Sequence, residues 1–199
     1  MRFLALMLGL VCVSAQANNW EVDLMYSFKG GDDYLVLSYT DGSEESIAPG
    51  EGLGMNIGRV IYKENNFDLF GRIGFMWDSI DEVGIESSYV YYPIELVGRY
   101  HVNEHVQFGL GGQYVLSPKY TEKVGSNELV LKETSGLGLV LEGRFQAGKN
   151  LNTSSYVFGR FVSNSVSPKS ATFNGDSLTV NEDAESDLTS VIIGVTLAF

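Results

Sequence analysis

The sequence predicts an all-β chain: an eight-stranded antiparallel transmembrane β-barrel with short turns at one end and long loops at the other. Three observations predict it. In the closing segment Val191, Ile193, Val195, Leu197 and Phe199 share one face, while Ser190, Ile192, Gly194, Thr196 and Ala198 share the other. Side chains alternate across a strand, so this is a strand with one oily face and one small or polar face. Eight strand-like segments follow one another, and their connections alternate between short and long. Finally, the face opposite the apolar one carries charges and amides, the reverse of a water-soluble barrel, so lipid is the solvent that suits the outer wall.

The elements follow in order. The first strand, 20–28, sets Trp20, Val22, Leu24, Tyr26 and Phe28 against Glu21, Asp23, Met25 and Ser27. The second and third, 52–62 and 67–78, are joined by a short turn at 63–66. The fourth, 89–102, carries Pro93 near its far end, where a missing N–H calls for a bulge or a late start to pairing. In the fifth, 106–116, Val106, Phe108, Leu110, Tyr114 and Leu116 oppose Gln107, Gly109, Gly111 and Gln113. In the sixth, 136–147, Leu137, Leu139, Leu141 and Phe145 oppose Gly138, Glu142, Arg144 and Gln146. The seventh and eighth are 155–163 and 188–199. The turns at 63–66, 103–105 and 148–154 are short; those at 29–51, 79–88, 117–135 and 164–187 are long and hold Pro49, Pro118 and Pro168. This is the sorting of periplasmic turns and extracellular loops. Residues 33–48 suit a hairpin inside the first loop, around Asp41-Gly42. Entry of that hairpin into the wall would make ten strands and turn Ser43-Glu44-Glu45-Ser46 toward hydrocarbon. Two aromatic girdles are expected: Trp20, Phe67, Tyr100, Tyr156 and Phe199 at the short-turn side, and Tyr26, Phe75, Trp77, Tyr91, Tyr92 and Tyr114 at the loop side.

The start of the chain has the form of a secretory signal: Met1-Arg2, an apolar run from Phe3 to Val13, and an Ala15-Gln16-Ala17 exit. Residues 1–17 are expected to be cleaved, leaving 18–199 as the barrel domain. The apolar run is too short to span a bilayer, where a helix needs about 20 residues. The only cysteine, Cys12, would leave with the signal, and Val11 before it argues against lipidation. Removing Arg2 takes 13 basic residues to 12 against 25 acidic ones, so the formal charge moves from −12 to −13. That balance excludes nucleic acid as a partner.

Gly-Arg followed by an apolar residue recurs five times, at Gly58-Arg59-Val60, Gly71-Arg72-Ile73, Gly98-Arg99-Tyr100, Gly143-Arg144-Phe145 and Gly159-Arg160-Phe161. Alternation turns Arg72, Arg99, Arg144 and Arg160 inward, toward inward Glu21, Asp23, Glu95 and Glu142. Arg59 conflicts with Asn56 unless a bulge separates them. Cations and carboxylates at similar heights in a barrel with little internal room suggest a hydrogen-bonded plug; the other reading is a charged channel lining.

No catalytic, cofactor or metal motif occurs. His101 and His105 flank the turn at 103–105. The stretch around Ser163 resembles a lipid A deacylase segment, but Phe161 stands where that segment has its histidine, so the serine lacks a base. The acidic loops (Asp32, Asp33, Asp41, Glu44, Glu45 and Glu51 in the first; Asp176, Glu182, Asp183, Glu185 and Asp187 in the last) read as a solvated exterior, or as a surface bridged to lipopolysaccharide by divalent cations.

Val195, Leu197 and the terminal Phe199 resemble the C-terminal assembly signal of outer-membrane β-barrels. With strand count, loop asymmetry and signal exit, residues 18–199 resemble the small outer-membrane barrel family typified by the OmpA transmembrane domain and OmpX. The resemblance implies a Gram-negative outer-membrane location and a non-enzymatic role in envelope integrity or adhesion-type contacts. It also implies outer-membrane lipid and lipopolysaccharide as surroundings, and handling by the barrel-assembly machinery through the last strand. The peptidoglycan-binding domain of longer OmpA-type proteins is not expected. A narrow porin-like channel and a lipid A-modifying enzyme are the alternatives.

Overall fold

The computed structural model describes residues 19–29, 34–38, 44–82, 84–150, 152–181 and 183–199. The expected signal segment, Cys12, and Asp32, Asp33, Asp41 and Glu182 of the acidic loops lie outside them. The elements are β1 (Trp20–Lys29), β2 (Leu35–Ser38), β3 (Glu44–Ile47), β4 (Gly52–Glu64), β5 (Phe67–Glu82), β6 (Ile85–His101), β7 (Val106–Val124), β8 (Asn127–Ser135), β9 (Leu137–Lys149), β10 (Ser154–Ser163), β11 (Ser165–Phe173), β12 (Asp176–Leu178), β13 (Ser186–Asp187) and β14 (Ser190–Ala198).

Eight of these close a barrel. Going round the wall, β1 pairs β4, then β5, β6, β7, β9, β10 and β14 follow, and β14 returns to β1, every neighbour antiparallel. The seam lies where the chain ends meet. Phe199 N donates to Trp20 O at 2.9 Å, and Asn19 N donates to Phe199 O at 2.8 Å. Closure removes every free wall edge, which a bilayer interior demands.

The wall is apolar outside. Leu24, Ile73, Leu96, Leu110, Leu141, Val157 and Ile193 are all exposed, while their strand neighbours Asp23, Arg72, Glu95, Gln113, Glu142, Arg160 and Thr196 are buried. The alternation read from the sequence for β1, β7, β9 and β14 is kept, and the outer face is built for hydrocarbon.

The strands run further than the sequence suggests. Stretches of the expected long loops 79–88, 117–135 and 164–187 continue as strand: β5 and β6 reach Glu82 and Ile85, β7 reaches Val124, and β8 and β11 pair beside it. Ser117, with φ of 50°, forms a bulge that lets β7 pass Tyr91. Pro118 and Pro168 thus lie in strands, Pro168 beside a bulge where Lys169 is the extra residue. One side of the barrel therefore stands tall above the rest. Its tips turn tightly. Asn174 and Gly175 both have positive φ between paired Phe173 and Asp176, the type I′ geometry that suits Asn-Gly.

The first connection folds as a hairpin apart from the wall: β2 pairs only β3. Ile47 and Ala48 are buried, so this hairpin covers the far end of the lumen. At Pro93 the β5–β6 ladder shows neither the expected bulge nor a late start, since pairing continues beyond it to Glu82↔Ile85. β5–β6 pairing lapses opposite Tyr92 and Pro93, between Ile73↔Ile94 and Met76↔Tyr91, without a register shift.

The girdles need two corrections. Phe67 and Tyr100 at one end and Tyr26, Phe75, Trp77, Tyr92 and Tyr114 at the other are exposed on the wall. Tyr91 is buried in the lumen, because adjacent Tyr91 and Tyr92 must point opposite ways. Tyr156 also turns inward: it pairs with buried Thr196 and lies under a lumen arginine.

Candidate functional site: a charged layer in the lumen

The lumen charge arises from strand parity. Arg72 on β5, Arg99 on β6, Arg144 on β9 and Arg160 on β10 all sit at inward positions, as do Glu21 and Asp23 on β1, Glu95 on β6 and Glu142 on β9. All eight are buried. Register brings them to one level: Arg72 lies directly opposite Glu95, and Arg160 directly opposite Glu142.

Glu142 is the hub. It accepts from Arg72 Nη1 at 2.8 Å, Arg99 Nε at 2.9 Å, and Arg160 Nη2 and Nε at 2.9 and 3.1 Å. Glu21 accepts from Arg99 and Arg144, each at 2.7 Å. Glu95 pairs with Arg72 Nε and takes a further bond from Gln113 at 2.8 Å. Asp23 is held by Thr196 at 2.7 Å and by Arg160 at 3.3 Å. Four guanidiniums thus face four carboxylates, and the layer is formally neutral. Arginine suits it because one planar fork can serve two carboxylates at once.

Rings stack against the cations from both sides. Arg99 lies 3.8 Å over Phe70, Arg144 4.2 Å over Tyr156 and Arg160 4.7 Å over Phe158, contacts that favour a desolvated cation. Above the layer, Met25, Met76, Tyr91, Val162 and Ile192 are buried. The interior of an eight-stranded barrel is about wide enough to be filled by side chains.

Arg59 departs from the other four. It points outward, 5.8 Å over Trp20, and Asn56 is buried inside. The bulge of this strand lies beyond it, at Ile61, and so does not reverse it. The glycines of the inward Gly-Arg pairs also face the wall exterior. The ones that give the layer room are Gly58 and Gly109: a Cβ on Gly58 would meet Phe70 at 2.5 Å and Arg72 Cβ at 2.7 Å, and one on Gly109 would meet Val97 at 2.8 Å and Glu142 Cβ at 3.2 Å.

A second polar site closes the far end. Glu133 on β8 is buried and accepts from Tyr34 and, at 2.9 Å, from Tyr89. The Tyr34 ring packs edge-on against Tyr89 and Tyr120, at 5.9 and 5.3 Å. Burial raises the Glu133 carboxyl above its usual range, with the two tyrosine hydroxyls pulling the other way. Burial beside that carboxyl raises Tyr34 in turn. Sequence reading missed this clasp, because Glu133 sits in what looks like a loop. It also missed Gln113 and Thr196 as members of the charged layer, although their inward parity marked both.

At the short-turn end His101 Nε2 lies 2.7 Å from Asp68 Oδ2. Ser163 is exposed at the opposite end of the wall, paired with Leu139. Among the described residues no cluster of three or more His, Cys, Asp or Glu side chains could hold a metal ion.

No family model matches the chain, and no curated protein matches it. Solved structures do. Ail, the attachment invasion locus protein of Yersinia pestis, superposes with a TM-score of 0.54 at 12% identity, over 92% of this chain and 99% of that one. Outer membrane protein AlkL, solved in lipid bilayers, matches with a TM-score of 0.43 at 11% identity, over 91% of this chain and 88% of that one. The closed eight-strand wall, its apolar exterior and the likeness to Ail give one conclusion: the chain has the fold of the small eight-stranded outer-membrane β-barrels.

Proposed function

We propose that the protein is an integral barrel of a Gram-negative outer membrane, its lumen closed by the arginine–carboxylate layer, with a structural or surface-contact role rather than catalysis or transport. The observation that carries this reading is the layer itself. Eight buried, mutually paired charges cross the lumen, with Phe70, Tyr156 and Phe158 stacked on them. A conducting pore needs charges that keep their water, whereas these have exchanged it for each other. With transport set aside, function moves to the tall far-end sheet and its capping hairpin. The attachment role in the name of Ail is in keeping with that. A lipid A-modifying activity has little support, since His101 lies at the end of the barrel opposite Ser163. Lipopolysaccharide and outer-membrane lipids are the expected surroundings, and Val195, Leu197 and Phe199 on the seam strand are the expected handle for barrel assembly.

Expression of the chain in a Gram-negative host tests this. The expected result is recovery in the outer-membrane fraction, a gel mobility that changes on heating, and an unaltered lipid A mass spectrum. Recovery in the soluble fraction, or a new lipid A species, would overturn it.

A further inference from the structure

On the wall exterior, just beyond the apolar belt, three lysines come together. Lys119 on β7 and Lys132 on β8 are directly opposite each other, and Ser170 on β11 is opposite Lys132. Lys169 is the extra residue of the bulge there, so it and Ser170 together face Lys132. All three lysines are exposed, on the same outward side as Leu116 and Leu137, the last lipid-facing leucines of β7 and β9. Like charges directly across a strand pair destabilise it. No carboxylate among the described residues lies within 4 Å of their amines, whereas Lys123, further out, pairs with Glu128 at 3.6 Å. In a chain of net charge −12 this is, among the described residues, a cationic patch without a protein counter-charge.

We infer that Lys119, Lys132 and Lys169 form a binding site for phosphate groups of the outer-leaflet lipid that surrounds the barrel. Position selects a lipid headgroup over a soluble anion. The amines stand on the lipid side of the wall, directly above the belt, and lysine stems can reach along it while their charges stay at the headgroup level. The inference rests on the outer-membrane reading above.

The test uses the chain refolded into phosphatidylcholine vesicles with increasing lipid A, reading the temperature at which the heat-modifiable band is lost. Lipid A is expected to raise that temperature, while lipid A stripped of its phosphates is not. In the K119S/K132S/K169S variant the lipid A fraction needed is expected to rise roughly a hundredfold, from the attraction that three cations add at an anionic surface. K123S is expected to behave as the unaltered chain. An unchanged response in the triple variant would overturn the site. So would an equal effect of inorganic phosphate or soluble heparin on the unaltered chain, which would make the patch a soluble-anion site. A chain that never becomes heat-modifiable in any vesicle fails the barrel reading instead, so the two failures are distinguishable.

Discussion

Glu142→Gln is the sharpest perturbation of the lumen, because that one carboxylate serves three arginines at 2.8–3.1 Å. The substitution keeps the shape and removes the charge, leaving four guanidiniums with three carboxylates. Breaking a buried ion pair from one side costs about 3–5 kcal/mol, because the partners keep their desolvation penalty. With a urea dependence of about 2 kcal/mol per molar, the unfolding midpoint in vesicles is expected to fall by about 2 M. Glu64→Gln, at an exposed site on the short-turn side, is expected to change stability by less than about 0.5 kcal/mol. Were the layer bathed in a water-filled channel, the pair would behave as a surface salt bridge worth about 0–1 kcal/mol. A midpoint shift for Glu142→Gln no larger than that for Glu64→Gln would therefore refute the buried-layer reasoning. The double variant with Arg160→Met checks the pairing directly. Its cost is expected to fall short of the sum of the single costs by about 0.5–3 kcal/mol.

Glu133 gives a pH dependence. Its carboxyl is raised in the folded protein above its ordinary 4.5, so the fold binds this proton more tightly than the unfolded chain does. The clasp is thus firmest below about pH 4.5 and weakens as pH rises through the raised value; the protection of the β3 amides, taken relative to their intrinsic exchange at each pH, should fall over that range in the unaltered chain and not in Glu133→Gln, and an identical profile in both would contradict this. Gly111→Ala places a Cβ 2.2 Å from the Leu96 carbonyl oxygen, an overpacking expected to cost about 1–3 kcal/mol, whereas Gly159→Ala meets nothing within 4 Å and should leave the urea midpoint in place. Leu141→Arg puts a charge on the lipid face opposite the buried layer and is expected to cost about 2–4 kcal/mol in vesicle refolding; a neutral result would show that this face does not meet hydrocarbon.

The wall and its charged layer were legible because both follow from a period of two. Once Glu142 and Arg144 are set inward by Leu141 and Phe145, every other member of the layer is fixed by its own strand's alternation. Arg59 was ambiguous because a bulge in the right place would have reversed it, and the actual bulge at Ile61 is displaced by two residues. Tyr91 and Tyr156 were read by position along the strand, yet parity decides the face. The tall sheet was hidden for a different reason. Beyond the bilayer neither face of β8 or β11 must be oily, so Lys132, Thr134 and Ser170 carry no alternation. The Asn174-Gly175 turn was the local signal that could have revealed part of it. The hairpin of β2 and β3 was readable as a local unit, but its docking over the lumen depends on Glu133, nearly a hundred residues away from Tyr34.

The closed lumen is tested most directly by planar-bilayer recordings of the refolded chain, with the heat-modifiable shift as proof of folding. The expected result is a bilayer that stays silent at all voltages it tolerates, because the arginines and carboxylates that would line a pore are bound to one another. Steady, discrete openings would contradict it and would make Arg72, Arg99 and Arg144 the lining of a selective channel.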